Sequence, residues 1–167
     1  MNIVLAFHDA WQEAVTAYYK GEVNSECTLH SILFSSLRAD DSNALVLCEP
    51  RIDCGRNGVL IPDIVIAIEQ TVVAIVELKF VPHGYPVYEL DLRKLSMLAK
   101  FEEKFSLRIE PTTGCTASEK FTISPECTLA IAVIGWHDAV AVDEVRLRQV
   151  MSQFGDRFVP MVERVGA

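Results

Sequence analysis

The sequence predicts an α/β fold in which a mixed β-sheet is flanked by helices. Three observations predict it. Apolar residues recur at helical spacing in the first forty residues and again near the end. Two β-branched apolar runs, 59–68 and 72–80, fill the middle of the chain. A further apolar run, 128–136, follows a segment with helical periodicity. The length of 167 residues suits one domain spanning 1–167.

Each element follows from local pattern. Ala10 to Lys20 places Trp11, Val15 and Tyr18 on one helical face, and Gly21 ends it. Asn24 to Arg38 forms a second helix, capped by Asn24 or Ser25, with Leu29, Ile32, Leu33 and Leu37 as its stripe. Residues 39–43 form a loop. Leu45 to Asp53 is expected as a strand, with Pro50 tolerated at a bulge or edge. A turn over 54–58 leads to strands over Val59–Ile68 and Val72–Phe80, then a loop over 81–86. Leu92 to Phe105 is expected as a helix with Asp91 as its N-cap and Leu92, Leu95, Leu98 and Phe105 turned inward. Residues 107–125 look irregular. Thr128 to Trp136 forms a buried strand, and Asp143 to about Phe154 a last helix. The expected order is α-α-β-β-β-α-β-α.

Composition excludes several classes. Half the residues are hydrophobic, which argues for a core and against disorder. The net charge of −8 argues against a general polyanion binder, though a local basic groove is compatible with it. No signal peptide is read at the N-terminus. Asp63, Glu69, Glu77 and Lys79 interrupt the richest apolar stretch, 61–80, so no membrane span is expected. The five cysteines, Cys27, Cys48, Cys54, Cys115 and Cys127, form no CxxC pair and fit core thiols in a reducing cytoplasm.

The chemistry lies in Ile61-Pro62-Asp63 and, fourteen residues after Asp63, in Glu77-Leu78-Lys79. Alternation in a strand places Glu77 and Lys79 on one face. Two charges at the end of an apolar strand need a metal, a counter-charge or solvent. Asp63 shares the face of Glu77 when the hairpin loop is odd. Pairing Ile68 with Val72 leaves a three-residue loop, 69–71, and sets Asp63 opposite Glu77; an equivalent bulge has the same effect. Two such carboxylates, completed by the Leu78 carbonyl, suit Mg²⁺ or Mn²⁺. Lys79 can orient a water or stabilise charge on a phosphate. Glu26 lies three residues before Leu29 and seven before Leu33, where it can supply a further ligand if its helix covers the sheet; Glu22 is a less favoured substitute. A strand-end salt bridge is the plain alternative for Asp63, Glu77 and Lys79, and a dipole-favoured helix acid for Glu26. His30 follows Glu26 by one helical turn and can partner it, with a core or surface histidine as the favoured plain reading.

This set resembles the PD-(D/E)xK nuclease superfamily: an acid on an early helix (Glu26), the pair Pro62-Asp63, and Glu77-Leu78-Lys79 on a neighbouring strand. The resemblance covers residues 24–136. It implies a restriction-endonuclease-like αβββαβ core and metal-dependent hydrolysis of DNA, with RNA the lesser candidate. Asp63 and Glu77 become the metal ligands and Lys79 the catalytic lysine.

Residues 79–108 carry six basic and four acidic side chains, a balance of +2 that leaves −10 on the remainder. Arg93, Lys94 and His83 are therefore the candidates for phosphate contact, and Tyr85 and Tyr88 for stacking on bases or packing the loop. No recognition domain is evident, so sequence specificity would require a homodimer, a partner subunit or structure-selective binding. The second function expected is a catalytically silent member of the same fold, serving as a protein-binding or regulatory module through its acidic surface.

Overall fold

The computed structural model describes residues 3–40, 44–55, 58–83, 87–109, 117–136 and 144–165. Two helices open the chain: α1 (Ile3–Tyr19) and α2 (Glu26–Asp40). Between them Gly21 turns with φ 78°, a conformation that glycine adopts without steric cost. Ser25 caps α2, its Oγ accepting from the Thr28 N–H at 3.2 Å. The strands are β1 (Ala44–Cys48), β2 (Ile52–Asp53), β3 (Val59–Leu60), β4 (Ile64–Ile68) and β5 (Thr71–Val81). Helix α3 (Glu89–Ala99) precedes β6 (Phe105–Ile109) and β7 (Ala117–Trp136). Helix α4 (Glu144–Val150), a 3₁₀ segment (Ser152–Arg157) and β8 (Phe158–Val165) follow.

The strands join into an eight-stranded sheet in the order β1-β4-β5-β7-β6-β2-β3, with β8 also on β7. β1, β4 and β5 form an antiparallel meander, whereas β5 with β7 and β7 with β8 are parallel. Parallel neighbours require crossover connections; α3 lies between β5 and β7, and α4 between β7 and β8.

Strand alternation divides the core. Ile64, Ile66, Val76, Leu78, Ala130, Ala132 and Ile134 pack with α1 and α2 through Trp11, Leu29, Leu33 and Leu37. Val65, Ala67, Ile75, Leu129, Ile131 and Val133 pack on the other face with Leu95 and Leu98 of α3 and Leu147 of α4. The expected mixed sheet between helices is therefore present, with both faces covered. No described helix is long and apolar enough to cross a membrane.

Several expected elements change. Helix α1 begins seven residues earlier than expected, at Ile3. The strand expected over Leu45–Asp53 breaks after Cys48, where Glu49 adopts φ 46° and Pro50 follows. The strand expected over Val59–Ile68 breaks at Ile61-Pro62-Asp63. Asp91 is not an N-cap: Tyr88 holds that position without a side-chain cap bond, and Asp91 lies in the first turn. Helix α3 ends at Ala99, and Phe105 opens β6, stacking on Phe121 across the ladder. The stretch expected as irregular contains β6 and the start of β7, while 110–116 lie outside the described residues. The last helix is shorter than expected, and β8 was not expected at all. Cys54 and Cys127 are buried thiols as expected, but Cys27 and Cys48 are exposed. Burial pushes the Cys127 thiol up to about 12. Cys115, Tyr85 and the loop residues 41–43 lie outside the described residues.

Replacing Ser25 by Ala removes one cap bond and is expected to cost about 1 kcal/mol. Replacing fully buried Leu33 by Ala is expected to cost about 2–5 kcal/mol. Urea unfolding followed by circular dichroism measures both, and equal losses would contradict this assignment of cap and core.

Candidate active site

The site forms because β4 stops before β5 does. The last ladder pair between them is Ile64 with Val76, but β5 continues along β7 as far as Val81. Pro62, just before the start of β4, has no N–H to contribute to a ladder. Beyond Val76, the amides of β5 on that edge have lost their strand partner. Two carboxylates take its place. Asp63 Oδ2 accepts from the Leu78 N–H at 2.5 Å, and Glu26 Oε2 accepts from the Phe80 N–H at 3.2 Å. In a strand, the carbonyl of a residue faces the same neighbour as its N–H, so the Leu78 carbonyl belongs to this edge too.

Asp63 is held from behind. Its own carbonyl accepts from the Glu49 N–H at 2.9 Å and lies 2.8 Å from His30 Nε2. A carbonyl only accepts, so His30 carries its proton on Nε2. Helix α2 thus supplies two positioning contacts, from Glu26 and from His30.

The register brings Asp63 and Glu77 together by a route different from the expected loop. The turn is Glu69-Gln70, between the paired residues Ile68 and Thr71, with Glu69 at φ 54°. A bulge then leaves Val73 unpaired, because Ala67 faces Val72 and Ile66 faces Ala74. One extra residue in the strand replaces one in the turn, so the parity is unchanged. Asp63 and Glu77 are the next residues outward from the Ile64–Val76 pair.

On the α3 side, Glu77 is fully buried. Its Oε2 accepts from Lys94 Nζ at 2.6 Å, and that ammonium also donates to the Ile61 carbonyl at 2.8 Å. Among the described residues, Glu77 Oε1 has no hydrogen-bond partner. Lys79 Nζ pairs with Asp91 Oδ2 at 3.1 Å. Two residues along a strand advance roughly 6.6 Å, and three along a helix roughly 4.5 Å. That near match lets Glu77 and Lys79 meet Lys94 and Asp91 as two adjacent ion pairs of opposite polarity.

Electrostatics follow from this crowding. Burial pushes the Glu77 carboxyl up to about 8, and the charges of Asp63 and Asp91 push the same way against Lys94. Burial also raises Asp63, more than the Leu78 amide, Lys94, Lys79 and His30 together lower it. Burial works to lower Lys79, but Asp91 outweighs it with help from Glu26 and Asp63, so the ammonium is held above its ordinary value.

Thus Glu26, Asp63, Glu77, Lys79 and the Leu78 main chain meet at one strand end. Lys94, expected at a phosphate, is turned onto Glu77. Arg93 on α3 and His83 after β5 are exposed. Tyr88 is buried in the core, not presented to solvent. Sequence reasoning missed the site role of Asp91, and for His30 it offered a partnership with Glu26 rather than the contact with the Asp63 carbonyl. Asp91 offered a signal in its spacing of three from Lys94, which matches the i, i+2 spacing of the strand pair. Among the described residues, no three His, Cys, Asp or Glu side chains group as a metal-binding cluster. The acids available are the Asp63–Glu77 pair, with Glu26 on the neighbouring amide. Compared with family models, with curated proteins and with solved structures, the chain matches none.

A raised carboxyl means that the folded chain holds a proton the unfolded chain has released. The stability linked to neutral Glu77 is full below about 4.5 and is lost as pH rises toward about 8. Glu77→Gln imitates the neutral form. Its stability is therefore expected to fall less than that of the native chain across this window, and to exceed it at the upper end. Thermal unfolding in chelator at several pH values measures this, and parallel profiles would contradict it.

Proposed function

We propose that the chain is a metal-dependent deoxyribonuclease of the PD-(D/E)xK type, built on a restriction-endonuclease-like core. The observation that carries this reading is Glu77: fully buried, with Oε1 unpartnered, beside the charge of Asp63 at the bare end of a strand. Lys94 meets one oxygen of this pair, and Glu77 Oε1 is left unmet among the described residues. The meander β1-β4-β5, the helix α3 and the parallel strand β7 support the αβββαβ part of the reading.

Asp63, Glu77 and the Leu78 carbonyl would hold Mg²⁺ or Mn²⁺, with Glu26 as a more distant support. Their all-oxygen chemistry suits a hard cation. Bound there, such an ion supplies a lowered water pKa and charge stabilisation at phosphate. Lys79 provides a fixed ammonium, charged at working pH, that positions the attacking water or faces negative charge on the phosphate. Asp91 fixes that ammonium in place. Arg93 on α3 and His83 after β5 are exposed and suit phosphate contact. DNA is preferred over RNA as the substrate. Sequence specificity would come from a second copy or a partner subunit.

The closed pattern of ion pairs favours one other reading. Lys79 and Lys94 are both satisfied internally, as in a scaffold whose charges only hold α3 to the sheet. That protein would be catalytically silent and would serve as a protein-binding or regulatory module.

Incubation with supercoiled, linear, single-stranded and branched DNA, with and without Mn²⁺ or Mg²⁺, separates the two. Metal-dependent cleavage is expected, abolished by Asp63→Ala and reduced about 10²–10³-fold by Lys79→Ala. Since the Glu77 proton must leave before the carboxylate can bind a cation, metal affinity is expected to rise with pH up to about 8 and then level off. Absence of cleavage, with equal calorimetric heats from native protein and Asp63→Ala, would leave only the silent scaffold.

A further inference from the structure

We propose that the Lys94 ammonium is an exchangeable partner of the carboxylate site: it occupies Glu77 Oε2 in the metal-free chain and leaves when a divalent cation binds. The inference rests on the metal-binding reading of Asp63 and Glu77. Among the described residues, Lys94 Nζ donates to Glu77 Oε2 at 2.6 Å and to the main-chain carbonyl of Ile61 at 2.8 Å. The second is neutral, so the carboxyl group of Glu77, with the charge of Asp63 beside it, is what holds the ammonium inward. A divalent cation on Glu77 and Asp63 removes that attraction and adds repulsion at a few ångströms. The side chain has a way out: it retains 20% exposure and a flexible four-carbon stem. Its release places a second cation beside exposed Arg93 on α3, where phosphate can use it.

Lys79 behaves differently. Its partner is Asp91, a helix residue outside the proposed ligand set. A cation on Asp63 and Glu77 removes the help of Asp63 but does not compete for Asp91, the main partner of Lys79, so Lys79 stays in place. The two lysines therefore separate under one perturbation, which a purely structural ion-pair square would not show.

Amine labelling of the native chain, read residue by residue by mass spectrometry, tests this with and without Mn²⁺ at a single pH. Lys94 labelling is expected to rise several-fold on adding Mn²⁺ while Lys79 labelling does not change. By calorimetry, Lys94→Gln is expected to bind Mn²⁺ about tenfold more tightly than the native chain, because the competing cation is gone. If the native chain binds Mn²⁺ with Lys94 labelling unchanged, or Lys94→Gln binds no more tightly, the exchange is overturned and the metal site stands. If neither protein gives a heat of binding, both the site and the exchange fail. The labelling uses unaltered protein, so the result does not depend on the variant folding.

Discussion

Glu77 is the constraint on which the site depends. A carboxylate with no exposure at all sits on an apolar strand against the core that α3 covers. Leaving such a group charged and alone costs several kcal/mol. The fold answers in two ways, with a proton and with the Lys94 ammonium, and neither fully satisfies the group, since Oε1 stays unpartnered. Lys94 must reach down from α3, which sets the helix at a fixed height along β5. Asp91, one helical turn away, then falls on Lys79. The placement of α3 at this end of the sheet and the charge of the site are thus one problem with one solution.

A second constraint is the unequal length of β4 and β5. An open strand edge with unpaired amides invites association with another chain. Here the edge is closed by side chains rather than by a strand: Asp63 on Leu78 and Glu26 on Phe80. Carboxylates are strong acceptors for backbone amides, and both come from well-anchored positions. Asp63 is tied by His30 and Glu49, and Glu26 stands in the first turn of a helix capped by Ser25. The same acids that quiet the edge supply the negative charge of the site. Edge protection alone would be met by asparagine or serine; it does not require Asp63 to crowd the charge of Glu77.

Much of this was legible in the sequence, and the losses have physical causes. Alternation places Glu77 and Lys79 on one face, and parity demands an odd number of unpaired residues between Asp63 and Glu77. That count is met by the bulge at Val73, which no local signal announces, because valine suits a regular strand equally well. Phe105 fell at a helical interval from Leu98, so the helix was carried too far; the strand it opens is short and gains its stability from Phe121 across the ladder. β8 contains Pro160, which argues against an interior strand, yet β8 is paired with β7 alone, and an edge tolerates proline. Asp91 was read as a cap because Asp caps helices. Its actual role needs Lys79 across a tertiary contact, which lies beyond any local window. His30 is hidden for the same reason, since its partner is a main-chain carbonyl thirty-three residues away.

The plain alternative, a structural salt-bridge cluster, must account for the asymmetry of the two ion pairs. A cluster that only fastened α3 would be expected to satisfy its most buried member best. The reverse holds. Asp91 and Lys79 pair at the less buried position, while Glu77, wholly buried, keeps one oxygen bare and crowds Asp63. Buried ion pairs rarely outperform well-packed apolar side chains in stability, and leucine or methionine at 77 and 94 would hold the same layers without the desolvation cost. Keeping two mutually repelling acids beneath a helix is costly to the fold, and that cost is the ground on which the proposed cation site stands against the structural cluster.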